Sequence, residues 1–131
     1  MVTSPNPGQD TNYLFGLSAI SPNDIWAVGT NDYGGTYPGC VTLTLHWDGQ
    51  AWTRIPSPNV GTAYDCSALL SVDAVSSNDV WAVGYVDTTA PGTLTLIEHW
   101  DGVQWSIVPS PSVPNSTQQL NSISAISSSD V

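Results

Sequence analysis

The sequence predicts an all-β chain built from repeated four-stranded antiparallel sheets, and three observations predict it. First, the chain repeats itself. Ser21-Pro22-Asn23-Asp24-Ile25-Trp26-Ala27-Val28-Gly29 returns as Ser76-Ser77-Asn78-Asp79-Val80-Trp81-Ala82-Val83-Gly84, and His46-Trp47-Asp48-Gly49-Gln50-Ala51-Trp52 returns as His99-Trp100-Asp101-Gly102-Val103-Gln104-Trp105. Second, all six Trp fall at equivalent places, as the pairs Trp26/Trp81, Trp47/Trp100 and Trp52/Trp105. Third, the apolar runs are short, rich in Val, Thr and Trp, and separated by turn residues, with no capped helical periodicity.

Unit one spans about residues 9–58 and unit two about 62–111, and residues 120–131 open a third copy that stops where Trp-Ala-Val-Gly is due. Strand a is Gly16 to Ser21, then Leu70 to Ser76, then Ser122 to Ser127. Ser-Pro-Asn-Asp or Ser-Ser-Asn-Asp follows, a turn of residues that bond their own backbone, with Asp24, Asp79 and Asp130 as its expected caps. Strand b is Ile25 to Thr30 and Val80 to Asp87; strand c is Val41 to Trp47 and Leu94 to Trp100. Both are apolar or Thr on successive residues, which predicts sheets covered on both faces. Asp48-Gly49 and Asp101-Gly102 signal hairpins, expected as type I′ turns. Strand d, Ala51 to Pro56 and Gln104 to Pro109, ends in Pro-Ser-Pro. Proline cannot donate to a ladder, so this strand is expected at the outer edge.

Four antiparallel strands recurring every fifty-odd residues, the last one outermost, describe a β-propeller blade. Asp-Val-Trp-Ala-Val-Gly followed by His-Trp-Asp-Gly-x-x-Trp resembles the kelch-like propeller repeats of bacterial proteins. Single glycines, Gly29 and Gly84, stand where kelch repeats carry a pair. Gly49/Trp52 and Gly102/Trp105 are also similar to the tail of the Asp-box of sialidase-type blades. The resemblance covers nearly the whole chain and implies the fold; it names no activity.

Two units and one extra strand do not close a propeller, which holds 4–8 blades. Each blade needs a neighbour on both faces. The expectation is that copies of the chain supply those neighbours, as a dimer, trimer or tetramer ring of heterologous contacts. The trailing strand then either inserts into the next copy or lies loose. The simpler alternative is a truncated longer propeller.

Composition excludes several partners. The 131 residues carry one Lys or Arg against 11 Asp plus Glu, a net charge of −10. Nucleic acid and anionic membranes are therefore excluded as partners, and no apolar run is long enough for a membrane-spanning helix. The opening Met1-Val2-Thr3-Ser4-Pro5 lacks the basic and apolar regions of a signal peptide. A composition free of Lys and rich in Ser, Thr, Asn, Gly and Pro nevertheless points to an extracellular or cell-surface protein.

Repetition also sorts the chemistry. A residue present in every unit is structural before it is catalytic, because an active site is needed once. His46 and His99 are read as cross-strand hydrogen-bonding groups rather than metal ligands. The six Trp are read as inter-blade core rather than sugar platforms. No catalytic residue, metal or cofactor is assigned. Glu98, the only Glu, replaces Leu45, and Arg54 is the only cation. They are read as separate surface charges, with an ion pair across units as the alternative. The loops that break the repeat are the better functional candidates. Trp26 to Trp47 is 21 residues against 19 for Trp81 to Trp100, and the loop between units is lengthened too. Cys40 and Cys66 sit in these two lengthened loops and are predicted to form a disulfide. The same loops carry Tyr33, Tyr37, Tyr64, Asp32 and Asp65, a rim suited to a glycan or protein ligand. The chain is thus read as a non-catalytic binding or scaffold module, with a fragment of a sialidase-like hydrolase as the alternative.

Overall fold

The computed structural model describes residues 3–5, 11–32, 39–113 and 115–131. Among them are eight strands and no helix: β1 Asn12–Ser21, β2 Asp24–Asp32, β3 Cys40–Trp47, β4 Trp52–Arg54, β5 Cys66–Ser76, β6 Asp79–Asp87, β7 Thr93–Trp100 and β8 Trp105–Ile107. All eight belong to one sheet. Pairing is antiparallel along β1-β2-β3-β4 and again along β5-β6-β7-β8. A single parallel pair, Cys40 with Cys66, joins the two runs.

The glycine that ends Trp-Ala-Val-Gly has a steric cause. β1 bulges between Leu14 and Gly16, opposite Gly29, and β5 bulges between Leu69 and Ser71, opposite Gly84. A Cβ on Gly29 would lie 1.8 Å from the Tyr13 carbonyl oxygen, and one on Gly84 2.0 Å from that of Ala68. Only glycine lets the bulged strand come this close.

The hairpins between β3 and β4 and between β7 and β8 are not type I′. Trp47 pairs with Trp52 and Trp100 with Trp105, so four residues make each loop. Gly49 and Gly102 have positive φ, but Asp48 and Asp101 do not. Each Asp carboxylate instead accepts the N–H groups two and three residues on, at 2.8 Å. These bonds hold both carboxyls below the usual carboxylate range. The side-chain bond replaces the backbone geometry that Asp-Gly alone suggests.

β4 and β8 are shorter than expected, three residues each. Their Pro-Ser-Pro tails follow the neighbouring strand without a ladder. Thr42 shares a 2.6 Å bond with Ser57, and Thr95 shares one of 2.6 Å with Ser110. Hydroxyls thus take over where proline has no N–H to give.

The main core lies between the two runs. Trp26 and Val28 of β2 pack with Leu69, Val72, Val80, Ala82, Val86, Leu96 and Trp105, and Ile55 and Val60 close its margin. Trp26 meets Trp100 at 5.1 Å and Trp105 edge-on at 5.3 Å between ring centroids. A smaller cluster of Ala27, Leu43 and Leu45, with Trp52 against it, occupies the other face of the first run. Both faces of β2 are therefore buried, as the unbroken apolar run predicts.

The predicted third strand over Ser122–Ser127 has no ladder, because a strand requires a partner strand. Residues 120–131 nevertheless follow the second run as β5 follows the first. The Ala74 N–H donates to Ser18 Oγ at 3.1 Å, and the Ala125 N–H donates to Asp73 Oδ2 at 2.8 Å. Leu120 N–H reaches the Gly84 carbonyl at 3.2 Å, and Ile126 to Asp130 close the turn that Ser76 to Asp79 make in unit two. The trailing segment is seated on its own chain rather than loose.

Candidate functional site

Three features stand out from the repeat or bind its units together: a rim of loops, a recurring Ser–Asp–His chain, and a buried carboxylate.

The rim gathers where β3 and β5 begin. Cys40 and Cys66 form the predicted disulfide, across 26 residues of sequence. They are the first residues of β3 and β5 rather than loop residues, which is why they also make the one parallel pair between the runs. The bond fastens the two runs at one end. Replacing both with Ser is expected to cost about 2–4 kcal/mol of unfolding free energy, read as a lower urea midpoint at an unchanged slope. Asp65, next to Cys66, is buried. Its Oδ2 accepts the Thr62 N–H and hydroxyl, and its Oδ1 accepts the Thr89 N–H at 2.7 Å. The backbone donors of Thr62 and then Thr89 hold its carboxyl below the usual range. Asp65 therefore staples the inter-unit loop to the loop after β6. Tyr64 is beside it and 53% exposed. Asp32 ends β2. Tyr33 and Tyr37 lie outside the described residues.

The second feature is a hydrogen-bonded chain present twice. His46 Nε2 is 2.8 Å from Asp24 Oδ1, and Asp24 Oδ2 accepts from Ser77 Oγ in the next unit. His99 Nε2 is likewise 2.8 Å from Asp79 Oδ1, and Ser128 of the trailing segment donates to the Asp79 carboxyl. The predicted cross-strand role of the histidines is what the structure has. The predicted capping role of Asp24 and Asp79 is not: their carboxyls reach sideways, while Ser21 and Ser76 Oγ accept the turn N–H groups. Burial pushes the Asp79 carboxyl up, but bonds from His99, Ser128 and Trp81 outweigh it and leave it below its usual value. A carboxylate only accepts, so Nε2 of each ring carries the proton. The residue types are those of a hydrolytic triad in the wrong order. Serine bonds the carboxylate instead of the imidazole, so no base stands ready to take its proton. The arrangement clamps one unit to the next. Sequence reading missed Ser77 and Ser128; the signal was that this position is Ser in the second and third copies of the turn and Pro22 in the first.

Glu98 is the third feature. Neither reading of it from sequence holds. It is 0% exposed, so it is no surface charge. Its carboxylate oxygens have no hydrogen-bond partner among the described residues, so it is not paired with Arg54, which lies exposed on β4. Glu98 pairs with Ala82 and Ile107 in the ladder and shares a face of β7 with Leu96 and Trp100, against the first run. The indole N–H groups of Trp26 and Trp105 in the same core also lack partners there. Burial pushes the Glu98 carboxyl up to about 8, opposed by the nearby Ser57 hydroxyl.

The six Trp divide by place. Trp26 and Trp105 are buried at 2% and 5% exposure, while Trp47, Trp52, Trp81 and Trp100 are half-buried. The indoles of Trp47 and Trp100 donate to the Pro22 and Ser77 carbonyls, both at 3.1 Å.

No protein-family profile matches the chain, and no curated protein matches it. Among solved structures it is similar to one described as YCF48 bound to D1 peptide, at 18% identity, with 81% of this chain and 45% of that chain covered and a TM-score of 0.36. The chain spans less than half the length of that protein.

Proposed function

We propose that this chain is a non-catalytic binding or scaffold module made of β-propeller-type blades, kelch-like in pattern, that presents one loop rim to a protein or glycan. One observation carries the reading. The histidines and carboxylates that recur in both units are spent on structural bonds, whereas the inter-unit loop, which departs from the repeat, is held by the Cys40–Cys66 disulfide at its end and by the Asp65 staple. A locked rim loses little entropy when it binds, which favours recognition. Tyr64, exposed on that rim, is the natural contact residue. The one Glu is sealed between the runs, away from the rim. The disulfide suits an oxidising, extracellular compartment.

Calorimetry against glycan and peptide panels tests the reading. Tyr64→Ala is expected to weaken any ligand found by at least tenfold, about 1.4 kcal/mol, with the fold intact. Turnover of glycoside, ester or peptide substrates, abolished by a carboxylate substitution, would establish the hydrolase alternative in its place.

A further inference from the structure

Two apolar positions of the repeat turn polar where the two runs meet. Thr44 stands where unit two has Ile97, and Glu98 stands where unit one has Leu45. The fold brings these two departures to opposite walls of one junction. Thr42, Thr44 and His46 of β3 stand opposite Thr30, Val28 and Trp26 of β2, so they share the face that meets the second run. Glu98 shares with Trp100 and Trp105 the face that meets the first. Ser57, on the tail after β4, has its hydroxyl near the Glu98 carboxyl. Thr42, Thr44 and Glu98 are all buried.

The polar groups of this junction are complementary but do not meet. Both Glu98 oxygens and the Nε1 atoms of Trp26 and Trp105 are buried without a partner among the described residues. Trp105 meets Trp26 edge-on at 5.3 Å, and it stands diagonal to Glu98 across the β7–β8 pair, within reach of long side chains. On the other wall, the Thr44 hydroxyl donates to the Ile55 carbonyl, and the Thr42 and Ser57 hydroxyls are 2.6 Å apart. Each hydroxyl oxygen has lone-pair capacity to spare. A buried donor or acceptor left unpaired loses its hydration with no return, and here two donors and a carboxyl do so in one layer.

We propose that the junction between the runs is a binding site for internal water, seated among the Glu98 carboxyl, the Trp26 and Trp105 indoles and the Thr44 and Ser57 hydroxyls. One water accepts from the two indole N–H groups and donates to the carboxyl and to one hydroxyl, which are all the bonds it can make. Polar groups on both walls distinguish the site from an apolar gap, which stays dry. The equivalent position in unit one, Leu45, lies in a cluster of Ala27, Leu43 and Trp52. The site is therefore a property of this junction and not of the repeat. It places bound water in the layer that fastens one run to the other.

Magnetic relaxation dispersion of water oxygen, which registers internal waters of long residence, tests this on the whole chain. The wild type is expected to hold at least one such water more than the double variant Thr44→Ile/Glu98→Leu, which restores the apolar residues of the repeat on both walls and is expected to keep its near-ultraviolet circular dichroism. A crystal structure of the wild type makes the test independent of the variant's folding. It is expected to show a water oxygen within hydrogen-bond distance of the Glu98 carboxyl and of Nε1 of Trp26 or Trp105. An equal number of long-lived waters in the wild type and the folded variant overturns the proposal, as does a crystal structure in which the indoles bond the carboxyl directly or the junction is dry.

Discussion

Trp26→Ala is expected to lower the unfolding free energy by about 3–5 kcal/mol, the usual cost of removing a large buried aromatic. The indole is the centre of the inter-run core. It touches His46 of its own run and Trp100 and Trp105 of the other. Its loss opens a cavity at the one surface that the two runs share, and neither run has another apolar layer of that size. A small all-β chain carries only about 5–15 kcal/mol in total, so the variant is expected to be largely unfolded at 37 °C. Urea titration followed by far-ultraviolet circular dichroism gives the number. A cost below about 1 kcal/mol would mean that the runs hold themselves up separately. Trp47→Ala, on the other face and half-buried, is the control expected to cost less.

Glu98→Leu is expected to stabilise the protein, and to do so in a pH-dependent way. The folded carboxyl is pushed up to about 8 from 4.5. The folded state therefore holds a proton that the unfolded state releases between those values. The sign follows. The Glu98 contribution to stability is most favourable below pH 4.5, falls as the pH rises toward 8, and is least favourable above it. Each tenfold difference in proton affinity between the folded and unfolded states is worth about 1.36 kcal/mol, so the whole loss approaches about 5 kcal/mol. Leucine removes the titration and matches unit one, where Leu45 is buried at the equivalent position. The gain from Glu98→Leu is thus small at pH 4.5 and several kcal/mol at pH 8.5. Thermal unfolding of both proteins across this range reads it out, and a gain of constant size at every pH would refute the assignment. Glu98 thus weakens the fold at neutral pH and ceases to do so in mild acid, whereas the lowered carboxyls of Asp48, Asp65, Asp79 and Asp101 lose their stabilising bonds at still lower pH.

The repeat makes the strands legible in the sequence. Equivalent Trp, Asp-Gly and Pro-Ser-Pro positions place β2, β3, β6 and β7 within one or two residues, because alternation and turn chemistry are local. The Cys40–Cys66 bond was legible for a different reason: both cysteines stand in stretches that lengthen the repeat, and such stretches share an end of the sheet. The hairpin type was not legible. Asp48 and Asp101 gain two backbone N–H donors each, a preference that outweighs the dipeptide statistics. The clamp through Ser77 and Ser128 was hidden because it joins residues of different units, and only the packing of one run on the next brings them together. Glu98 was misread because its charge outweighed its position. The apolar alternation of Leu94, Leu96 and Trp100 already marked that face of β7 as core, and the position, not the residue type, decided the burial. The third strand failed as a strand for want of a partner, although the same sequence in β1 and β5 finds one.

The central claim is that neither run is stable without the other stacked on it. Native-state hydrogen exchange tests it most directly. The slowest amides of β2 and β3 and those of β6 and β7 are predicted to report one shared opening free energy, equal to that of global unfolding, and to fall together in Trp26→Ala. Two distinct plateaus, one for each run, with only the first lowered by the substitution, would contradict the account.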